Sequence, residues 1–344
     1  VGLVGAPGTG KSAAARMLLR SQAAGTACVY AAQKPLAQLR ARLGGLEGAA
    51  LTVVYADPSR DPVGARYLVP LLAMQLAERL SSTHDHVLLV LDDLVAFTQA
   101  AAELPVPPLG APQVVASALD AAGSVAGDCG RESALTVVAI LDLEPEGELV
   151  PTLRALWRGA EPALDVALPF SAALASRGVL PAVDLDQLAC GFAPSYQPPL
   201  FRQLRAELLR ALLRSRDLAA RLELMRPLGL HVEPQDEEEL GSSHAARALL
   251  AHAEPRPAPE LAVLLVAALV YHFPSAAGRP PAPSAVAAFQ RALLGTVRTG
   301  YPALWEVLSG AHCLGEAEAS VAIRDLAEVL LAHRLDFGFT RPSL

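Results

Sequence analysis

The chain has 344 residues, which is enough for two domains with substantial hydrophobic cores. Apolar residues make up 52% of it and charged residues 18%, which excludes an intrinsically disordered chain. The net charge of −7 provides no general attraction to nucleic acid or to an anionic membrane surface, so neither is an expected direct partner.

The first predicted strand runs straight into a glycine-rich turn and a helix. Residues 1–4 are apolar, and residues 5–12 read G-A-P-G-T-G-K-S, the complete G-x-x-x-x-G-K-[ST] spacing of a phosphate-binding loop, called the P-loop below. A Cβ atom in this turn would keep backbone N–H groups away from a phosphate. The predicted nucleotide contacts in the loop are Gly5, Gly8, Thr9, Gly10, Lys11 and Ser12. A glycine-rich turn that binds nothing is the alternative.

Each position at the end of the P-loop has a predicted role. Lys11 is expected to reach the β- and γ-phosphates of a nucleotide, and the Ser12 hydroxyl is expected to ligate Mg²⁺. The chain begins at the strand that enters this loop, so we expect a piece of a longer protein.

Apolar strands and helices alternate along the next part of the chain. Strands are predicted at residues 27–31, 50–56, 86–93, 135–141 and 164–168. Helices are predicted at residues 36–43, 67–80, 114–122 and 171–177, and a loop at residues 123–131. Near-continuous apolar strands that alternate with helices predict a parallel sheet covered by helices on both faces.

The predicted strand at residues 86–93 ends in two carboxylates, Asp92 and Asp93. Ligands of parallel α/β sheets gather at the carboxyl ends of the strands, so Asp92 is predicted to lie beside Ser12 and to share its Mg²⁺. Asp93 is predicted either to cap a helix or to support the metal ligands from outside their coordination shell. The strand at 135–141 also ends in a carboxylate, Asp142.

The composition changes at residues 191–199, which hold three prolines. Beyond them, helices are predicted at residues 200–225, from 236 onward, 261–273, 284–297 and 316–333. The apolar run 261–270 is too short to span a bilayer, so no transmembrane segment is expected. Four widely spaced cysteines favour reduced thiols. We therefore predict a nucleotide-binding domain at residues 1–198 and a helical domain at residues 199–344.

Several segments, taken in order, resemble the α subunits of rotary (F-type) ATP synthases. The P-loop resembles the G-D-R-Q-T-G-K-T of that family, and residues 28–34 resemble its C-I-Y-V-A-I-G-Q-K. Residues 86–94 resemble H-A-L-I-I-Y-D-D-L, residues 177–184 resemble K-G-I-R-P-A-I-N, and residues 228–234 resemble F-G-S-D-L-D-P. The resemblance implies a RecA-like P-loop domain with a mostly parallel sheet, followed by an all-α helical bundle.

The resemblance also implies ligands, partners and a location. The ligands would be ATP or ADP with Mg²⁺, and the partners would be β-like subunits in a hetero-hexameric ring. The ring would be peripheral to an energy-transducing membrane and would reach it only through the assembled complex. Gln33 falls where the catalytic partner subunit has a glutamate, and a neutral amide cannot act as a general base.

The chain departs from the family pattern at several positions. Gly191 stands where α subunits donate an arginine to a neighbour, and His252 and Glu254 stand where glutamines approach the adenine. We also expect this chain to lack the N-terminal β-barrel of the family. Three hypotheses remain: a non-catalytic nucleotide-binding subunit, a degenerate paralogue that acts as an interaction scaffold, and a free-standing P-loop motor ATPase. The last needs a carboxylate base near Gln33 and an arginine at the subunit boundary.

Overall fold

In a computed structural model of the chain, the described residues are 1–22, 25–44, 46, 50–104, 123–126, 132–142, 164–176, 178, 180–184, 189–190, 198–225, 227, 233–250, 256–271 and 283–332. They divide into two compact units, residues 1–192 and residues 193–344. The helix predicted at 114–122, Gly191, His252 and Glu254 lie outside the described residues.

Among the described residues of the first unit, eight strands form one sheet. They are β1 (Gly2–Gly5), β2 (Ala27–Ala32), β3 (Ala50–Tyr55), β4 (His86–Asp92), β5 (Gly123–Ala126), β6 (Glu132–Asp142), β7 (Val166–Phe170) and β8 (Ala189–Cys190). The strand order is β3-β2-β4-β6-β1-β7-β8, and β5 pairs with β6. Six strands pair in parallel, while β5 and β8 pair antiparallel to their neighbours. The predicted α/β class with a mostly parallel sheet is confirmed.

Helices cover both faces of this sheet. They are α1 (Lys11–Arg20), α2 (Leu36–Leu43), α3 (Val63–Ser81), α4 (Leu94–Glu103) and the short α5 (Ala172–Ser176). One buried cluster joins alternate strand residues to Ala73 of α3 and Phe97 of α4. The other cluster joins the intervening strand residues to Leu19 of α1 and Leu39 of α2. The continuous apolar runs of β2 and β4 follow from this, because both faces of each strand are buried.

Two local predictions in this unit need correction. The loop predicted at 123–131 is wrong at its start, because Gly123–Ala126 forms β5, antiparallel to the beginning of β6. The four residues carry no strand pattern of their own, so the pairing with β6 makes them a strand. Helix α3 begins four residues before the predicted start at 67. Gly64 lowers the helix propensity of that first turn, so the sequence pattern did not predict a helix there.

The second unit consists of helices in its described residues. They are α6 (Pro199–Met225), α7 (Pro234–Leu250), α8 (Ala258–Val270), α9 (Pro283–Gly300), α10 (Pro302–Ser309) and α11 (Glu316–Ala332), with a 3₁₀ turn at Ala311–Cys313. Four of these helices begin at proline, whose fixed φ suits the first helical position. The eight-residue α10 was missed in the sequence. The apolar run 261–270 lies in α8, whose inner face packs in the core of this unit. Among the described helices, none is both long and apolar enough to span a membrane.

Candidate functional site

The P-loop connects the carboxyl end of β1 to the first turn of α1. Gly8 and Gly10 have φ angles of +82° and +97°, in the left-handed region that favours glycine. Gly10 is the N-cap of α1 and provides no side chain to cap it. Within the described part of the chain, no protein acceptor takes the backbone N–H groups of residues 8–11. These donors and the positive end of the helix dipole fit a phosphate group.

The two ends of the loop face different surroundings. A Cβ built on Gly5 would lie 2.3 Å from the carbonyl oxygen of Phe170 on the neighbouring strand β7. A Cβ built on Gly8 would have no atom within 4 Å. Gly5 is therefore enclosed by the sheet, while Gly8 borders open space in which a ligand can lie.

The Lys11 ammonium is buried and fully occupied by protein acceptors. Its Nζ donates to the Gly5 carbonyl oxygen at 2.7 Å and to the Ala6 carbonyl oxygen at 2.5 Å. It also forms an ion pair with Asp142 Oδ1 at 2.8 Å. Because β1 and β6 are neighbours with Gly5 opposite Asp142, the ends of the two strands bring these groups together. The sequence had placed Asp142 at a strand end but had given it no role.

Asp92 is buried at the carboxyl end of β4 and is surrounded by donors. The Tyr30 hydroxyl donates to its Oδ2, and the Lys34 ammonium forms an ion pair with its Oδ1. The Arg42 guanidinium lies 3.8 Å from Oδ2. Burial, followed by the nearby Asp92 charge, holds the pKa of Tyr30 well above its usual range. Sequence reasoning missed Tyr30 and Lys34 as partners of Asp92, although Ala32 pairs with Asp92 and Lys34 follows two residues later.

Asp93 is the N-cap of α4, which is one of the two roles predicted for it. Its Oδ1 accepts the Ala96 N–H at 2.6 Å. Burial raises the pKa of its carboxyl to about 6, and the negative charges of Asp142 and Asp92 add to the rise. The hydrogen bond from Ala96 and the charge of Lys34 partly offset it.

Gln33 lies at the same edge of the sheet. It is buried, and its Nε2 donates to the Arg66 carbonyl oxygen at 3.0 Å. Together with Asp92, Asp93 and Phe97 it lines a small cavity. The structure therefore brings Gln33 and Asp92 together. Ser12 lies in the first turn of α1, Asp92 ends β4, and β6 lies between β1 and β4; no hydrogen bond joins the two side chains in the described residues.

The residues fit Mg²⁺ less fully than they fit a phosphate. Ser12 offers a half-buried hydroxyl, and a carboxylate such as Asp92 has about four lone-pair positions, of which Tyr30 and Lys34 take two. Lys34 already balances the charge of that carboxylate. The described residues contain no cluster of three or more His, Cys, Asp or Glu side chains that could bind a metal. The Mg²⁺ ligands Ser12 and Asp92 therefore remain a prediction.

A mostly parallel sheet, a P-loop between its strand β1 and a helix, and carboxylates at the neighbouring strand ends define an ATP-binding domain of the P-loop class. The family model of the ATP synthase alpha/beta nucleotide-binding domain matches residues 1–188. The chain belongs to the ATP synthase alpha/beta family. No curated protein matches its sequence.

Proposed function

We propose that this chain is an α-subunit-like, non-catalytic subunit of a proton-translocating rotary ATPase head, which binds ATP or ADP without hydrolysing it. Its partners are β-like subunits in a hetero-hexameric ring, and the ring lies peripheral to an energy-transducing membrane. Gln33 carries the proposal. Its neutral amide lines the same cavity as Asp92 at the carboxyl edge of the sheet, and ATP hydrolysis there would need a general base.

The P-loop residues bind the nucleotide in this proposal. The N–H groups of residues 8–11 donate to phosphate oxygens, and Lys11 places one positive charge beside them. Ser12 and Asp92 would hold Mg²⁺, which when bound neutralises phosphate charge. Asp92 is kept in place by Tyr30 and Lys34.

Hydrolysis needs a group that orients or deprotonates water, and the described edge of the sheet offers poor candidates. The Gln33 side chain cannot accept a proton, and its amide nitrogen already donates to Arg66. The Asp93 carboxylate in the same cavity is engaged as a helix cap. These contacts favour nucleotide retention over turnover.

The scaffold hypothesis has one specific observation in its favour. Both Lys11 and Asp92, the two charged groups assigned to the nucleotide and its metal, are already ion-paired inside the protein. A paralogue that keeps the fold as an interaction surface could carry such a closed site.

Thermal unfolding with MgATP or MgADP separates the two functions. A ligand that binds only the folded state stabilises it by about 2.7 kcal/mol at a hundred times its Kd, so the proposal predicts a clear rise in Tm at millimolar nucleotide. Lys11→Ala should remove the rise, whereas Arg20→Ala at the exposed far end of α1 should keep it. An unchanged Tm in the parent protein favours the scaffold.

ATP turnover of the purified chain tests the remaining alternative. We expect hydrolysis no faster than in Lys11→Ala, because Gln33 provides no base. Robust turnover that Lys11→Ala abolishes would instead support a free-standing P-loop motor ATPase.

A further inference from the structure

We infer that Asp142 is an internal competitor for the nucleotide phosphates, so that a nucleotide binds only after it displaces this carboxylate from Lys11. The inference rests on the proposed nucleotide binding and adds a residue that controls the affinity of the same site.

The first step concerns the donors of Lys11. An ammonium group has three N–H donors, and Lys11 shares them among the Gly5 and Ala6 carbonyl oxygens, Asp142 Oδ1 and, at a longer 3.4 Å, Thr9 Oγ1. The two carbonyl oxygens belong to the loop and its entering strand, where the backbone holds them. Asp142 is therefore the acceptor that can leave.

The second step concerns the position of Asp142. Its side chain is 35% exposed, whereas that of Lys11 is 2% exposed, so the carboxylate lies on the solvent side of the ammonium. A nucleotide phosphate that enters the loop from solvent reaches the Lys11 ammonium from this same side. Carboxylate and phosphate oxygens make the same type of charge-assisted hydrogen bond with a lysine. The two groups therefore compete for one donor.

The third step concerns the charge of this edge of the sheet. The positive groups Lys11, Lys34 and Arg42 stand opposite the three carboxylates Asp92, Asp93 and Asp142. Arg16 adds one more positive charge near Tyr30, so these groups, when ionised, leave a surplus of only one positive charge for an incoming polyphosphate. A displaced Asp142 also stays near the phosphates and repels them.

The change in the apparent Kd depends on the fraction of molecules in which Asp142 is paired with Lys11. If Asp142 holds Lys11 in about 90% of molecules, the binding-competent fraction is about 0.1, and the apparent Kd rises on the order of tenfold. Removing the Asp142 carboxylate should lower the apparent Kd by the same factor.

Isothermal titration calorimetry at fixed ionic strength tests the inference on the full chain. The ligands are MgATP, MgADP and inorganic tripolyphosphate, and the last of these probes the loop without an adenine. The variants are Asp142→Asn and Asp142→Ala, because asparagine keeps an oxygen that could still accept from Lys11. We expect both to bind each ligand more tightly than the parent, with the alanine variant approaching the tenfold gain.

Two matched controls assign the gain to Lys11. Asp165→Asn removes the same charge from an exposed residue that precedes β7, near the amino terminus of the chain, and should leave each Kd within about twofold, as expected for a distant screened charge. Adding Lys11→Ala to Asp142→Ala should abolish the gain. Thermal unfolding of each variant verifies that it is folded.

The outcomes separate the inference from the proposed function. Equal affinities in the parent and in both Asp142 variants would overturn the inference and leave nucleotide binding intact. Weaker binding by those variants would make Asp142 a contact of the bound state and would also overturn it. Absence of binding by every variant, to tripolyphosphate as well as to nucleotide, would overturn the proposed function itself.

Discussion

The nucleotide-binding unit and the helical unit bury different kinds of side chain. The nucleotide-binding unit encloses charged groups, with Lys11 3% and Asp92 3% exposed, and it buries the Gln33 amide next to one of them. Among the described residues of the helical unit, the buried polar side chains are neutral, namely Ser215 and Gln290. Both are satisfied by hydrogen bonds, Ser215 to Leu212 and Gln290 to the Leu249 carbonyl oxygen.

Among the described charged pairs of the helical unit, Arg256 with Glu260 is half-buried, and others lie at its surface. Examples are Arg210 with Glu207, and Arg221 with Asp236. A buried charge costs free energy that its partner does not always return, whereas buried apolar area is directly stabilising. The comparison indicates that the helical unit derives its stability from its core, while the first unit gives up some stability to hold charges where a ligand binds.

The largest expected effect tests the apolar core of the helical unit. Phe289 of α9 is 1% exposed and contacts Tyr271 edge to face, with 5.8 Å between the ring centroids. Phe289→Ala should lower the free energy of unfolding by about 3–5 kcal/mol, because it removes apolar area and leaves a cavity. Chemical denaturation measures the loss. Leu224→Ala, at a side chain 73% exposed, is the control and should change stability by less than about 0.5 kcal/mol.

The second prediction asks whether a buried carboxylate of the first unit lowers stability. The pKa of Asp93 is about 6 in the folded protein, above the ordinary value of 3.8, so the folded state binds a proton more readily than the unfolded state does. Stability should therefore fall as the pH rises from about 4 to about 6, and the full penalty should be present above pH 6.

Asp93→Asn removes this titration and keeps an oxygen that can accept the Ala96 N–H as a helix cap. A shift of about two pKa units corresponds to at most about 3 kcal/mol. At pH 7.5 the variant should be more stable by up to that amount, and at pH 4 the two proteins should converge. Denaturation at a series of pH values measures both, and a gain that persists at pH 4 would contradict the electrostatic cause.

The third prediction concerns the hydrogen bond that holds Asp92. Tyr30→Phe removes a buried hydroxyl that donates to this carboxylate, and hydrogen bonds to charged groups are worth about 1.5–3 kcal/mol. We expect a loss of that size in the free energy of unfolding. Tyr55→Phe makes the same change on the neighbouring strand β3 at a side chain 42% exposed, and it should be close to neutral. Similar losses of unfolding free energy in the two variants would show that the hydrogen bond from Tyr30 to Asp92 adds no specific stability.

The smallest expected effect comes from the surface of the helical unit. Glu207→Gln breaks the ion pair with Arg210. Both side chains are more than half exposed, and the two residues are three positions apart on α6. The change in stability should be below about 0.5 kcal/mol and should vanish at high salt. A larger loss would mean that surface pairs contribute to this unit as much as buried charges do to the other.

The fold could be predicted where the pattern is local. The P-loop spacing, the apolar runs of β2 and β4, and the helix at Leu36–Leu43 were evident in the sequence, since each depends on a few adjacent residues. Strand β5 was missed because it exists only through its pairing with β6.

The site could be predicted only in part, for a related reason. The sequence indicated Lys11 and Asp92 but not the partners that now occupy them. The pairing of Lys11 with Asp142 depends on β6 lying next to β1, and that of Asp92 with Lys34 depends on β2 lying next to β4. Strand order is a property of the whole sheet, so no segment of the sequence contains it.

Gly5 and Gly8 of the P-loop differ in what they would reveal about the history of such a chain. Any side chain at Gly5 would collide with the backbone of Phe170, so selection for folding alone retains that glycine even in a descendant that has stopped using nucleotides. Gly8 borders open space, and folding tolerates its loss at the modest strain of a positive φ. In this fold, a glycine at position 5 is therefore evidence of an intact sheet, and it does not by itself show that the loop binds a nucleotide.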